Sequence, residues 1–109
     1  MDIIEILKTL ADENRMRILN ILYRKNKLCV CDIEQTLGLT QSNVSRHISR
    51  LRKEKLIIGE KKAQWVYYYI NEKLLEDYPF IKEILENELK EGIFTEDLEK
   101  ISIGSISCE

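Results

Sequence analysis

The chain is poor in most of the residues that would take it out of the class of small ordered domains. Its 109 residues include one proline, Pro79, and four glycines, so no proline-rich linker and no glycine-rich repeat interrupts it. No apolar stretch approaches the roughly 20 residues of a membrane-spanning helix. Residues 1–15 carry Asp2, Glu5, Asp12 and Glu13, so neither a signal peptide nor a membrane anchor is expected, and the expected compartment is the cytoplasm. Cysteine is scarce and odd in number, three in all, with two of them separated by a single residue. That disfavours a secreted disulfide framework. With one histidine, His47, no phosphate-cradling glycine loop and no Cys/His/Asp arrangement, an enzyme is not expected.

What is present describes one compact unit. Hydrophobic residues make up 44% and charged residues 33%, enough for a single modest core and little more. The formal net charge of -2 conceals an uneven distribution. Residues 1–40 are balanced, residues 41–70 carry seven basic against two acidic side chains, and residues 71–109 carry four basic against eleven acidic. A basic middle beside an acidic end gives a surface that can face phosphate on one side and solvent on the other.

Periodicity places the elements. Ile3, Ile4, Leu7 and Leu10 recur at helical spacing and predict a first helix ending near Ala11. Asp12 then caps a core helix striped by Met16, Ile18, Leu19, Ile21 and Leu22, which should stop around Lys25-Asn26-Lys27. Asp32 and Gln35 have the spacing of a capping box, predicting a short helix from Ile33 to Leu37 that stops at Gly38. Thr40 is the expected N-cap of the next helix, Gln41 to about Glu54. The three-residue joint Gly38-Leu39-Thr40 is what a helix-turn-helix needs. On a wheel, Val44, Ile48 and Leu51 share one sector, and Ser42, Arg46, Ser49 and Lys53 share the opposite one, bordered by Ser45 and Arg50. Short hydroxyls let a helix lie close to a duplex, and an arginine fork matches guanine O6 and N7. Gln41 stands at the N-terminal turn, within reach of a base or phosphate.

Two β-prone runs, Leu56-Ile57-Ile58 and Trp65 to Ile70, follow with Lys61 and Lys62 between them, predicting a hairpin with a basic tip whose lysines touch the sugar-phosphate backbone. Pro79 opens a last amphipathic helix with Phe80, Ile81, Ile84, Leu85 and Leu89 on its apolar face. The expected fold is therefore mainly α with a small β-hairpin: a winged helix-turn-helix DNA-binding domain over residues 1–91, with the helix-turn-helix at 32–54 and the wing at 56–70. Residues 92–109 are expected to form an acidic C-terminal tail. The first and last helices supply more apolar face than one small domain uses, which suggests a homodimer on double-stranded DNA and no membrane partner.

The most informative stretch is Cys29-Val30-Cys31-Asp32. Soft thiolates select thiophilic ions over magnesium or calcium. Both sulfurs are expected to grip one ion only if residues 29–31 are non-helical, since i and i+2 diverge on a helix. The run Leu10 to Leu19, the segment Leu28 to Ile33, the segment Thr40 to Ile48 and Val66-Tyr67-Tyr68 together resemble the ArsR/SmtB metalloregulatory repressors over roughly residues 3–90. The resemblance implies a homodimeric winged-helix repressor that holds operator DNA when unliganded and releases it when a metal or metalloid binds. The Cys-Val-Cys-Asp variant resembles the arsenite- and antimonite-sensing branch, with Cys29 and Cys31 matching its thiolate ligands and no permanent cofactor. Glu34 stands where that branch often has a third cysteine, which leaves Cys108 as the candidate third ligand. Residues 79–91 lack the histidine that zinc-sensing members carry on the last helix. Other readings stay open: a repressor responsive to thiol oxidation or persulfide, a DNA-binding module without a ligand, and cysteines that merely fill a helix junction as small hydrophobes.

Overall fold

The computed structural model describes residues 2–103. The first helix, α1 (Ile3–Leu10), starts where the Asp2 carboxylate accepts the Ile4 N–H at 2.9 Å. It buries Ile6, Thr9 and Leu10 and leaves Ile3, Ile4 and Leu7 exposed. Asp12 caps α2 (Glu13–Lys25) by accepting the Arg15 N–H at 3.0 Å, and six consecutive residues of this helix, Arg17 to Leu22, are buried. A helix buried on so much of its circumference is the centre of the fold. It ends at Asn26, whose φ of 72° stops further helical hydrogen bonding.

The chain then enters β1 (Lys27–Cys29), α3 (Val30–Leu37) and, after the expected joint, α4 (Gln41–Lys53). Gly38 closes α3 in the left-handed region at φ 68°, with its N–H on the Glu34 carbonyl, a conformation that favours glycine because it has no Cβ. The Thr40 hydroxyl caps α4 through the Asn43 N–H. Val44, Ile48 and Leu51 are the buried residues of α4, as the wheel predicts.

The wing consists of β2 (Ile57–Lys62) and β3 (Trp65–Ile70), antiparallel and joined by a two-residue turn, Ala63-Gln64. Its register pairs Ile57 with Ile70 and Lys62 with Trp65. Tyr68 and Ile70 are buried, while Val66, on the same face but near the tip, is exposed. The sheet has a third member that the sequence pattern does not announce: β1 pairs antiparallel with β3, Cys29 opposite Tyr67, in the order β1-β3-β2. Three residues are too few to show a period of two, so only pairing reveals the strand.

Three helices complete the chain, α5 (Glu72–Asp77), α6 (Pro79–Asn87) and α7 (Ile93–Ile103). Ile81 and Leu85 of α6 are buried and Phe80 and Ile84 half-buried, with Leu89 buried just beyond its end, so the apolar face of α6 is largely used within the protomer. The acidic tail expected over residues 92–109 needs correction, because Ile93–Ile103 is a helix packed on α2 and α3. Its acidic composition hid a buried ion pair: Asp97 is fully buried against Arg17. Among the described residues no helix is long and apolar enough to cross a membrane.

Candidate nucleic-acid interface and thiolate pair

Gln41, Ser42, Ser45, Arg46, Ser49 and Lys53 are all exposed on α4, and Ser42, Arg46, Ser49 and Lys53 lie opposite the buried Val44, Ile48 and Leu51. The Arg46 guanidinium is hydrogen-bonded to the Asn43 side chain. Lys61 and Lys62 are exposed where β2 meets the turn, and Lys62 lies 4.0 Å from Glu60, which is itself held by Lys27 at 2.7 Å. Helix and wing tip thus both carry exposed cations, and the helix adds short hydroxyls beside them.

Arg50 departs from the expectation. Its Nε donates to the Thr9 hydroxyl at 2.8 Å and its Nη2 to Glu5 Oε1 at 3.1 Å, so the side chain is spent on α1 and is not brought to the exposed face. The wheel places Arg50 at the border, and only the position of α1 decides which way it turns. Conversely, the wheel passes over Arg52, which is exposed and stands with its guanidinium 5.9 Å from the centre of the Tyr68 ring. Arg52 and Lys55 line a shallow cleft with Ile58, Gly59 and Asn71 where α4 meets the wing. The density of basic residues in the last turn of α4 is the one sequence signal for it.

The cysteine pair sits at a strand-to-helix junction. Cys29 ends β1 and is the N-cap of α3, in extended conformation (φ -82°, ψ 165°), while Cys31 lies inside the first turn. Two expectations are thereby corrected. The helix begins at Val30 instead of Ile33, and Asp32 is its third residue and not its cap. Nor must both cysteines be non-helical, because one N-cap residue in extended conformation is enough to turn its side chain over the first turn. The sulfurs are 3.4 Å apart. A covalent S–S bond measures about 2.05 Å, and two thiolates on one tetrahedral ion with metal–sulfur bonds of about 2.3 Å lie about 3.8 Å apart.

Asp32 completes the local chemistry. Its Oδ2 is 3.4 Å from Cys29 Sγ, whereas its Oδ1 is buried with no hydrogen-bond partner among the described residues. Burial raises the carboxyl's pKa, partly offset by the Cys29 backbone N–H. Among the described residues no three His, Cys, Asp or Glu side chains are grouped to hold a metal ion. Cys108 lies outside the described residues. Glu34 is half-buried on α3, and His47 is half-buried on α4, its pKa lowered by burial, with Asp12 opposing and Arg15 and Arg46 reinforcing the shift.

Residues 12–58, from the cap of α2 through the helix-turn-helix to the first residues of β2, match the family described as bacterial regulatory protein, arsR family. The chain belongs to the ArsR family. This ArsR-family chain is 38% identical over 66 residues to the arsenic resistance transcriptional regulator ArsR1 of Pseudomonas putida, a match covering 61% of the chain and 52% of that protein. It is also 38% identical over 68 residues to the arsenical resistance operon repressor of Escherichia coli, covering 62% and 58%. The match thus spans little more than half the length of these curated relatives. Among solved structures, reduced HlyU from Vibrio cholerae superposes with a TM-score of 0.64 at 31% identity, covering 77% of the chain and 87% of HlyU. The family and these relatives are regulators, not enzymes, and the fold is the winged helix-turn-helix.

Proposed function

We propose that this ArsR-family chain is a transcriptional repressor that binds double-stranded operator DNA as a homodimer and releases it when arsenite, antimonite or another thiophilic ion binds at Cys29 and Cys31. The observation that carries the reading is the 3.4 Å approach of the two sulfurs at the N-terminus of α3, the helix joined to α4 by a three-residue turn. The relatives named for arsenic resistance support the choice of ion. Gln41, Ser42, Ser45, Arg46, Ser49 and Lys53 on α4 would face the groove, with Lys61 and Lys62 on the backbone. The exposed Ile3, Ile4 and Leu7 of α1 support a second copy of the chain as the occupant of that face, because a palindromic site is read by a two-fold dimer.

Cys29 is anchored in the sheet opposite Tyr67, whereas Cys31 moves with the helix. Holding both sulfurs on one ion while turning them toward a third ligand would therefore load the first turn of α3 against a fixed strand. Cys108 is the candidate for that third ligand. A coupling of about 1–3 kcal/mol between the two sites, roughly 5- to 150-fold in affinity, would shift operator occupancy substantially. Duplexes selected from a random pool, titrated with arsenite under reducing conditions, test this. Wild-type affinity should fall about tenfold or more, and Cys29→Ser should stay bound. Unchanged wild-type affinity refutes the arsenite response.

A second reading rests on the same separation, together with a solved relative described in a reduced form: oxidation or persulfidation at Cys29 and Cys31 releases the operator instead. Intact mass after mild oxidant or persulfide, set beside the metal-loaded native mass, separates the two.

A further inference from the structure

The contact between Arg50 and α1 has no counterpart in the proposed DNA face or in the thiolate pair. Arg50 Nε donates to the Thr9 hydroxyl at 2.8 Å, Arg50 Nη2 to Glu5 Oε1 at 3.1 Å, and the Thr9 hydroxyl in turn donates to the Glu5 carbonyl at 2.7 Å. Thr9 is fully buried. From the other side, Arg15 of α2 donates through Nε to the Thr9 carbonyl at 2.7 Å and through Nη2 to the Lys8 carbonyl at 3.3 Å. The polar side of α1 is thus pinned to α4 and α2, while Ile3, Ile4 and Leu7 on its other side are exposed.

Side chains at Arg50 and Glu5 are 33% and 37% exposed, and ion pairs so open contribute little to stability. What a guanidinium supplies here is direction. Its donors form a rigid planar fork, so two acceptors on a neighbouring helix fix the angle between the helices in a way that an ammonium does not. We propose that Arg50 is a positioning residue that sets the angle between α1 and α4, and through it the separation of the two α4 helices in a dimer paired along α1. This rests on the dimeric repressor reading above. The leverage is large: a helix of 13 residues is about 20 Å long, and tilting it by about 10° moves its far end by roughly 3.4 Å, the spacing of one base pair.

The test uses the full chain and duplexes selected from a random pool by the wild-type protein, rebuilt with one base pair added or removed between half-sites. Wild type should discriminate against altered spacing by about tenfold or more. Arg50→Met and Glu5→Ala, each of which removes the Nη2 contact to Oε1, should each cut that discrimination to about threefold or less, with base preference and salt dependence unchanged. Arg50→Lys should behave like Arg50→Met. The proposal is overturned if Arg50→Met relaxes base preference at one position and lowers the salt slope by about one while Glu5→Ala does neither, because Arg50 then contacts DNA. It is also overturned if Arg50→Lys restores normal spacing selectivity. Should the wild type select no duplex, the repressor reading fails by itself, and residual dipolar couplings that give the angle between α1 and α4 decide the clamp: a changed angle in Arg50→Met supports it, and an unchanged one overturns it.

Discussion

Arg17 and Asp97, eighty positions apart in the chain, meet in a buried two-pronged ion pair: Arg17 Nε donates to Asp97 Oδ2 at 2.8 Å and Nη2 to Oδ1 at 2.9 Å. The same Nη2 reaches the Leu37 carbonyl at 3.1 Å, and Nη1 reaches Asn14 Oδ1 at 3.1 Å. One guanidinium therefore ties α7 to α2 and to the last turn of α3, beside the joint of the helix-turn-helix. Removing one partner of such a pair leaves the other charge buried and uncompensated. Asp97→Asn should destabilise the fold by about 3–5 kcal/mol in urea unfolding, and Asp97→Leu combined with Arg17→Met should cost less than Asp97→Asn alone. A loss below about 1 kcal/mol for Asp97→Asn would place the pair among weak surface contacts.

Gly59 faces Tyr68 across the wing, and a Cβ there would lie 2.9 Å from Tyr68 Cε1. The ring is buried on its sheet face with the Arg52 guanidinium above it, so it has little room to yield. Gly59→Ala should cost about 1–3 kcal/mol in thermal or urea unfolding. Tyr68→Val in the same chain should return part of that loss by vacating the space. A neutral Gly59→Ala would mean that the ring swings aside freely.

His47 links stability to pH. Burial holds its imidazole below the ordinary value of 6.5, with Arg15 and Arg46 adding to the effect and Asp12 opposing it. The unfolded chain therefore takes up the proton first as pH falls. This contribution to stability is intact above 6.5 and is lost as pH falls through the lowered folded value. The melting temperature of the wild type should drop more steeply between pH 7 and pH 5 than that of His47→Gln. Parallel curves would remove His47 from the linkage.

Arg46 and Lys61 are expected to fail differently on DNA. Arg46→Ala should relax base preference at one position of each half-site, worth about 1–3 kcal/mol of discrimination. Lys61→Ala should weaken binding evenly across sequences and reduce the slope of log affinity against log salt by about 0.9. Competition binding on a mutated duplex set, repeated at several salt concentrations, measures both. An even loss for Arg46→Ala would demote it to a backbone contact.

Elements written in a local code are legible in the amino-acid sequence. The Asp12 and Thr40 caps, the Gly38 stop and the sector of Val44, Ile48 and Leu51 each depend on neighbours within a few residues, and each is found where the pattern places it. The cap of α3 is the exception. Asp32 satisfies the capping pattern with Gln35, yet pairing of Cys29 with Tyr67 holds the preceding residues as a strand and starts the helix three residues earlier. Nothing local marks β1, and the acidic composition after residue 91 speaks for solvent until Arg17 supplies a buried partner.

Caps, turns and helical periodicity are short-range physics, and from them alone follow the class of fold, the helix-turn-helix and the exposed face of its second helix. Packing between distant elements settles where three side chains act. Arg50 turns to α1 because Thr9 and Glu5 lie there. Asp97 is buried because Arg17 faces it. The two sulfurs approach to 3.4 Å because a strand pinned by β3 delivers Cys29 to the first turn of α3. Each depends on the distance between elements far apart in the chain, which no local pattern encodes.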